Sequence, residues 1–237
     1  MTTATTSMPL SLMLREQTVQ GMVHDMKAPM TVLKGYLQML LSGMMGDMKE
    51  DQRRLLQQTV GPLEDLILMT DNLLQASSLE EHTPTITPTL VDIDAMIKEV
   101  VDFYALPFNQ RKMKIFSHGM ARGIKLSMDA FWVKRALHNL VWNAYKFTPD
   151  GGQVTLEVRR ADEGIEIVVA DSGRGIPADK LPHVFEKFEQ VFPEKDRKMG
   201  HGLGLWICRQ VMELHGGSIH AESNFGHGTR FILHFPV

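Results

Sequence analysis

The sequence predicts a multi-domain chain: an all-α helical hairpin that forms a dimeric four-helix bundle, followed by an α+β sandwich. Two observations carry this prediction. Up to about residue 80, apolar residues recur three or four positions apart, with few aromatic residues and few β-branched runs. From about residue 90 onward, helical windows are mixed with short segments in which apolar and polar residues alternate, as in half-buried strands.

Length and composition are those of an ordinary globular chain. The 237 residues fit one or two domains, and the hydrophobic fraction of 43% argues against a disordered chain. A net charge of -3 gives no general attraction to nucleic acid or to an anionic membrane. The single cysteine, Cys208, cannot form an intrachain disulfide, and no apolar run reaches the ~18 residues of a spanning helix. We therefore expect a cytoplasmic chain with no membrane span and no nucleic-acid partner.

The first unit, residues 8–80, is predicted to contain two long helices. The first ends at a turn-forming, glycine-containing segment, residues 43–47, and the second begins near Lys49. Pro29 and Pro62 lie inside the helical patterns, where each removes one backbone hydrogen bond and is expected to bend its helix. Each helix carries one apolar stripe, formed by Val19, Met22, Val23, Met26, Met30, Leu33, Leu37, Leu40 and Leu41 and then by Leu55, Leu56, Val60, Leu63, Leu66, Ile67, Leu73 and Leu74.

These stripes need a partner, because a lone hairpin has no further layer to cover them. Pairing with a second copy as a four-helix bundle buries both stripes at once. The sequence therefore predicts a homodimer.

Residues 81–89 are predicted to be a linker, because proline and threonine interrupt the helical pattern there, and residues 90–237 to be a second domain. Its expected helices cover residues 94–110, 130–147 and 203–215. Its expected strands cover residues 153–159, 165–170, 218–222 and 229–235. Such a mixture favours one mixed sheet packed against helices.

Two glycine-containing segments of this domain suit a ligand. Asp171 follows an apolar strand and precedes Gly173 and Gly175, so that backbone could approach a ligand whose edge donates to the carboxylate. Gly200, Gly202, Leu203 and Gly204 open a helical run, whose free amides would face an anion such as a triphosphate. Taken alone, the Asp171 segment is more typical of an ordinary turn, and the second segment fits a flexible loop equally well.

Polar side chains recur along one face of the preceding helix. Asn139, Asn143 and Lys146 follow one another at i, i+4 and i+7. An amide oxygen is a hard ligand that suits Mg²⁺, and the lysine can neutralise phosphate charge. Any one of these residues alone would be read as part of a solvated face. The three together, followed by both glycine segments, favour a nucleotide site.

The motifs N-L-V-W-N-A-Y-K-F-T-P, D-S-G-R-G-I-P, V-F-E-K-F, G-H-G-L-G-L and G-H-G-T, in this order, closely resemble those of the sensor histidine kinases. The resemblance runs from about residue 15 to the C-terminus, and it implies the Bergerat-type ATP-binding fold with ATP and Mg²⁺ as cofactors. Asn143 would carry Mg²⁺, Asn139 and Lys146 would contact phosphates, and Asp171 would bind the adenine amino group. The glycines Gly173, Gly175, Gly200, Gly202 and Gly204, with Leu203, would line the same site.

The resemblance also implies a lid over the nucleotide. Phe185 and Phe188 would anchor it, and residues 189–199 would form it. Which cation of this segment contacts the phosphates stays open among Lys195, Arg197 and Lys198.

In the first helix, the segment His24-Asp25-Met26-Lys27-Ala28-Pro29 resembles the phospho-acceptor box of these kinases. A lone histidine on a helix is more often a packing or surface residue. A neutral imidazole nevertheless keeps a nucleophilic nitrogen, and the Asp25 carboxylate could orient the ring and take up its proton. Ala28 departs from the family, where this position is often Thr or Asn. The other histidines show no zinc-like spacing with cysteine and are read as surface or packing residues.

The resemblance implies a histidine autokinase that passes its phosphoryl group to an aspartate of a response-regulator receiver domain. Two other functions are weighed against it: a non-kinase ATPase of the same superfamily, and a catalytically idle dimerisation scaffold that binds a regulator. The signal would come from a separate sensor partner or from a sensor domain missing from this chain.

Overall fold

The computed structural model describes residues 10–81, 85–119, 123–161, 163–192 and 202–236, and along the first helix it describes side chains from Asp25 onward. The chain divides into two compact units, of which the first ends at His82 and the second begins at Thr83. The first is helical and the second combines helices with a mixed sheet. The predicted fold class, a helical unit followed by an α+β sandwich, is therefore confirmed.

The first unit is a pair of long helices, α1 (Leu10–Leu41) and α2 (Glu50–Glu81). Two ion pairs join them: Lys27 Nζ lies 2.6 Å from Asp71 Oδ1, and Lys34 Nζ lies 2.8 Å from Glu64 Oε1. The residue number rises by seven on α1 and falls by seven on α2 from one pair to the next, so the helices run antiparallel. Pro29 and Pro62 lie inside α1 and α2, as the sequence predicts.

The turn between the helices has the expected chemistry. Gly43 and Gly46 both have positive φ, at 81° and 104°. Residues with a Cβ disfavour this conformation, whereas glycine adopts it readily. At the end of α1, the guanidinium of Arg53 donates to the carbonyl of Leu41 at 3.1 Å. At the start of α2, the N–H of Lys49 donates to the side-chain oxygen of Gln52 at 3.1 Å. Both helix ends are thus hydrogen-bonded within the hairpin.

The second unit contains seven strands, three α-helices and a short 3₁₀ turn among its described residues. In chain order these elements are β1 (Thr89–Asp92), α3 (Ile93–Gln110), β2 (Lys114–His118), β3 (Lys125–Met128), α4 (Ala130–Phe147), β4 (Gln153–Ala161), β5 (Gly164–Asp171), the turn Leu181–His183, α5 (Gly204–Leu214), β6 (Ser218–Ser223) and β7 (Thr229–Pro236).

The main sheet has the strand order β2-β4-β5-β7-β6. Strands β2 and β4 are parallel and the other pairs are antiparallel, so the sheet is mixed, as predicted. A second sheet pairs β1 with β3. The core contains fully buried apolar side chains of helices and strands, among them Ile97, Leu137, Leu140, Ile207, Leu156, Ile167 and Ile232.

Helix α4 is held at both ends. At its start, Asp129 Oδ1 accepts hydrogen bonds from the main-chain N–H groups of Phe131 and Trp132. At its end, the Arg111 guanidinium donates to the carbonyl oxygens of Tyr145 and Thr148 and pairs with Asp150. The asparagine-bearing helix is therefore capped by residues from outside its own span.

Candidate nucleotide-binding site

On the asparagine face of α4, Asn139 is buried against the start of α5. Asn139 is 2% exposed, and its Nδ2 donates to the carbonyl oxygen of Gly204 at 3.4 Å. Its Oδ1 is buried and has no hydrogen-bond partner among the described residues. One and two turns further along, Asn143 and Lys146 are half-buried. The Lys146 Nζ lies 5.6 Å from the Trp142 ring centroid, a cation–π contact that holds this amine beside the helix.

The half-buried Asn143 amide oxygen fits a hard cation that shares its ligands with phosphates and water. Mg²⁺ binds through few protein oxygens and keeps several waters, so a dense acidic cage is not required. No group of three or more His, Cys, Asp or Glu side chains suited to a metal occurs in the described part of the chain. The oxygen donors on α4 are amide oxygens, which suit a hard cation of this kind.

Asp171 ends β5, and its Oδ1 accepts a hydrogen bond from the N–H of Gly173 at 2.7 Å. Burial raises the pKa of this carboxyl to about 6, against the opposing effect of hydrogen bonds from the main chain of Gly173 and Thr229. A partly desolvated carboxylate that retains acceptor capacity suits an N–H donor of a ligand better than it suits solvent.

The glycines after Asp171 are required by close approaches. A Cβ on Gly173 would lie 2.6 Å from both Asp171 Oδ1 and the carbonyl oxygen of Phe147. Gly175 has a φ of +69°, and a Cβ there would lie 2.3 Å from the carbonyl oxygen of Asn224. The loop therefore packs against the end of α4 at Gly173 and against Asn224, the residue after β6, at Gly175, and neither position has room for a Cβ.

The glycines before α5 have different roles. Gly202 has a φ of +68°, its carbonyl accepts from the N–H of Phe188 at 2.9 Å, and a Cβ would meet the Phe188 backbone at 2.4 Å. Gly204 starts α5, and a Cβ there would lie 3.7 Å from the Asn139 side chain, an ordinary contact. Leu203 is buried at 4% exposure. Gly200, Lys195, Arg197 and Lys198 lie outside the described residues.

The two phenylalanines of the V-F-E-K-F segment differ in environment. Phe185 packs edge-on against Phe231 with ring centroids 6.2 Å apart. Phe188 is 61% exposed and has a φ of 66°, which is uncommon for a side chain of this size. The Lys187 Nζ lies 5.1 Å from the ring centroids of Phe188 and of Trp206 on α5. Phe188 thus joins this segment to the start of α5.

Two residues at the site were not assigned a role from the sequence. The Arg174 guanidinium lies between two rings, 4.9 Å from the Phe147 centroid and 3.4 Å from that of Phe192. The Ser223 hydroxyl accepts from the N–H of Ile176 and donates to the carbonyl of Gly228, both at 2.8 Å. Arg174 stands within the glycine segment, but no spacing rule indicates its ring partners. Ser223 carries no sequence signal at all.

The structure brings Asn139 and Gly204 into contact and places Asp171 next to Gly173 in the second unit. The acceptor segment belongs to the first unit. His24 lies on α1, and its side chain is outside the described residues, whereas Asp25 is exposed on the same helix. The partners proposed for the phosphoryl transfer therefore come from different units of the chain.

The raised pKa of Asp171 predicts a pH dependence of stability. The folded pKa of about 6 exceeds the ordinary value of 3.8, so the folded state binds more protons than the unfolded state between these values. The free energy of unfolding contributed by Asp171 therefore falls as pH rises from about 4 to about 6, by roughly 1–3 kcal/mol. The Asp171→Asn variant should gain stability relative to wild type across this window. Urea unfolding followed by tryptophan fluorescence measures it, since Trp132, Trp142 and Trp206 all lie in the second unit. A pH-independent difference between the proteins would contradict the assignment.

Two known domain families match this chain, one in each part of it. Residues 14–82 match the His Kinase A (phospho-acceptor) domain. Residues 128–237 match the histidine kinase-, DNA gyrase B- and HSP90-like ATPase domain. Among the described residues, no helix is both long and apolar enough to cross a membrane.

Curated relatives are sensor kinases. The chain is 29% identical over 225 residues to the sensor histidine kinase WalK of Bacillus subtilis, covering 94% of this chain and 36% of WalK. It is 28% identical over 233 residues to the adaptive-response sensory kinase SasA of Crocosphaera subtropica, covering 95% of this chain and 60% of SasA. The chain spans 25% to 37% of the length of WalK and of three further relatives.

Solved structures agree on the fold. Full-length ShkA, crystallised in complex with AMPPNP, has a TM-score of 0.68 at 23% identity, covering 93% of this chain and 45% of ShkA. The catalytic domain of the histidine kinase ThkA has a TM-score of 0.57 at 25% identity, covering 64% of this chain and 96% of that domain. With a phospho-acceptor domain and an ATPase domain in the order found here, the chain belongs to the sensor histidine kinases of two-component systems.

Proposed function

We propose that this chain is an ATP-dependent protein histidine autokinase that transfers the γ-phosphoryl group of ATP to His24 and then to an aspartate of a response-regulator receiver domain. The observation that carries the proposal is the succession of a phospho-acceptor helix and an adenine-type pocket in one chain. Sequence supports the first part and the geometry around Asp171 and Asn139 supports the second. The proposed boundaries are a hairpin over residues 8–80, a linker over 81–89 and a catalytic domain over 90–237.

Adenine binding follows from the Asp171 geometry. The adenine amino group donates to the free acceptor positions of this carboxylate, while the Gly173 N–H holds Oδ1 in place. Gly173 and Gly175 keep the loop after Asp171 in this conformation, because a Cβ at either position would clash with neighbouring protein atoms. An ionised carboxylate accepts from the amino group more strongly than a protonated carboxyl does, so binding should weaken as pH falls below about 6.

The phosphates of the nucleotide would bind to α4 and to the start of α5. Asn143 would hold Mg²⁺, with Asn139 and Lys146 facing phosphates, and bound Mg²⁺ would supply neutralisation of phosphate charge. Gly202, Leu203 and Gly204 open α5, whose first N–H groups favour an anion. These groups act by position and charge, which provide most of the acceleration in phosphoryl transfer.

In the transfer step, a lone pair on a ring nitrogen of neutral His24 attacks the γ-phosphorus. The new N–P bond forms as the bond from phosphorus to the β–γ bridging oxygen breaks, and ADP leaves with that electron pair. The Asp25 carboxylate accepts the proton of the other ring nitrogen, which fixes the tautomer and removes the positive charge that develops on the ring. In the second step the phosphoryl group passes to the regulator's aspartate and His24 returns to its starting form.

A homodimer is part of the proposal, because apolar side chains remain exposed on both helices of the hairpin. Met26, Leu33 and Tyr36 on α1 and Leu55 and Leu66 on α2 are between 47% and 66% exposed in the single chain. Apolar surface of this kind along two helices is what a four-helix bundle buries.

The protein should therefore be dimeric at micromolar concentration, with a scattering mass of twice 26.8 kDa. Leu33→Glu places a charge on the exposed stripe and should shift the mass toward one chain. The matched variant Leu106→Glu changes a 68% exposed leucine of the second unit and should leave the dimer intact. A single-chain mass for the unmodified protein, under conditions where it phosphorylates itself, contradicts the bundle.

The regulator's phosphate should decay slowly in the presence of this protein. Ala28 stands one turn after His24, and a methyl group cannot hold the water that would hydrolyse the aspartyl phosphate. The neighbouring Lys27 is engaged, with its Nζ 2.6 Å from Asp71 Oδ1. Ala28→Thr should accelerate decay of purified phosphorylated regulator several-fold. Ala28→Val introduces a side chain with the shape of threonine but without its hydroxyl, and it should not accelerate decay. Rapid decay with the unmodified protein would show that the hydroxyl is irrelevant.

We place the kinase in the cytoplasm, where its substrate ATP is available and where a free thiol such as Cys208 stays reduced. Input would come from a sensor domain of a longer protein or from a separate sensor partner, in keeping with the greater length of the relatives.

Incubation with γ-labelled ATP tests the function and separates it from its rivals. A phosphohistidine gives label on the protein that is lost in acid and kept in alkali. Release of labelled phosphate without labelled protein would indicate an ATPase. Neither label nor ATP turnover would indicate a scaffold.

A further inference from the structure

Asp129, the residue before α4, uses its two carboxylate oxygens for different contacts. Its Oδ1 accepts from the main-chain N–H groups of Phe131 at 3.0 Å and Trp132 at 3.4 Å, which caps the helix. Its Oδ2 accepts from the main-chain N–H of Thr87 at 2.9 Å. One oxygen therefore starts α4, and the other holds a segment 42 residues upstream.

The main chain of Asp129 is also fixed, through His215. The Asp129 N–H donates to Nε2 of His215 at 3.0 Å, while Nδ1 of the same ring lies 2.7 Å from the carbonyl of Val211. The carbonyl can only accept, so Nδ1 carries the proton and Nε2 presents its lone pair to Asp129. Because His215 directly follows α5, this ring ties the end of α5 to the start of α4.

Thr87 lies where the chain enters the second unit. Helix α2 ends at Glu81, the second unit begins at Thr83, and β1 begins at Thr89. The Thr87 contact therefore fixes the incoming chain before the first strand of the domain. The contact joins this part of the chain to the start of α4, the helix that carries Asn139 and Asn143.

We propose that Asp129 is a positioning residue for the interdomain reaction, because its Oδ2 fixes the direction in which the chain from the helical hairpin enters the ATP-binding domain. Phosphoryl transfer to His24 then depends on the Thr87 contact, whereas nucleotide binding does not. This inference rests on the proposed autokinase function.

The expected consequence is kinetic. Without the Thr87 contact, residues 85–88 no longer have to follow the domain surface, and the segment that joins acceptor and ATP site gains length and conformations. Conformations in which His24 reaches the ATP site become a smaller fraction of all conformations of this segment. The effective concentration of His24 at the ATP site therefore falls by about two- to fivefold. The nucleotide pocket keeps its own contacts, so the Kd for ATP should not change.

Two variants remove the contact from opposite sides. Asp129→Asn keeps an acceptor oxygen for the helix cap, since asparagine caps helices as well as aspartate, but turns an amide NH₂ toward the Thr87 N–H. Thr87→Pro removes the donor and leaves Asp129 unchanged. Thr87→Ala keeps the N–H and serves as the matched control.

Hydrogen exchange gives a readout that does not depend on activity. In Asp129→Asn, exchange of the Thr87 amide should rise at least about tenfold. Thr87→Pro has no amide at this position, so there the rise should appear at the neighbouring amides between residues 85 and 92, while in both variants the Phe131 and Trp132 amides keep their protection. At saturating ATP, the autophosphorylation rate should fall two- to fivefold with the Kd unchanged, and the double variant should fall no further. Thr87→Ala should match wild type.

Each other outcome overturns the inference. If Asp129→Asn weakens ATP binding or Phe131 and Trp132 protection as much as it slows the reaction, Asp129 is only a helix cap. If exchange over residues 85–92 is unchanged in both variants, the contact does not hold the chain. If exchange rises and the rate stays at the wild-type value, positioning is refuted. Wild-type protein that takes up no label refutes the autokinase function itself, and exchange still decides whether the contact exists.

Discussion

Replacing His24 by glutamine is expected to abolish phosphate incorporation, by at least about a thousandfold, while the affinity for ATP stays unchanged. An amide nitrogen has no available lone pair, so the N–P bond cannot form. ATP binding is unaffected because Asn139, Asn143 and Asp171 belong to the other unit of the chain. Labelled phosphate retained on the protein measures the first effect, and tryptophan fluorescence measures ATP binding.

His220→Gln is the matched control, since this histidine is exposed on β6, far along the chain from the acceptor segment. It should keep full incorporation. Label that persists on His24→Gln, or that disappears from His220→Gln, contradicts the assignment of the acceptor.

The Asp171→Asn variant is expected to lose ATP affinity by about ten- to a hundredfold, which corresponds to the loss of a hydrogen bond to a charged acceptor. Asparagine presents an NH₂ group where the adenine amino group needs an acceptor. The same NH₂ suits the carbonyl oxygen that guanine carries at this position, so the preference for ATP over GTP should narrow as well. Equilibrium binding of both nucleotides measures the two effects.

Asp179→Asn, an exposed neighbour on the following loop, should leave both affinities unchanged. Retention of the wild-type ratio of ATP to GTP affinity in Asp171→Asn would show that this carboxylate does not bind the base. Mixing Asp171→Asn with His24→Gln subunits adds a further result: label in the mixture means that transfer passes between subunits, and its absence means that each subunit phosphorylates itself.

Much of the fold follows from periodicity in the sequence. The long helices and the strands β4, β5, β6 and β7 have patterns of at least six residues, and the structure contains all of them. The strands β1, β2 and β3 span four or five residues each and were not predicted. Strand β2 has the sequence K-I-F-S-H, in which apolar and polar residues do not alternate although exposure does, and its pairing with β4 depends on residues far along the chain.

Part of the candidate site can likewise be predicted from the sequence, and part of it cannot. Asp171 with its glycines, and Asn139 with Asn143, can be read from the sequence because a loop or one helix face brings them together. Lys146 also lies over Trp142, four residues earlier on α4, a contact that helical spacing allows but that was not predicted. The contacts of Asp129 with Thr87 and His215 join residues 42 and 86 positions apart, and no local pattern records them. Such long-range partners need the folded chain.

The most direct test of this account is to locate the phosphoryl group on wild-type protein after incubation with ATP and Mg²⁺. The protein is digested at alkaline pH, which preserves phosphohistidine, and the peptides are sequenced by mass spectrometry. We predict a single phosphorylated site at His24, in the peptide that also carries Asp25 and Met26. A phosphoryl group on any other residue, or unmodified peptides from protein that has consumed ATP, would contradict the account.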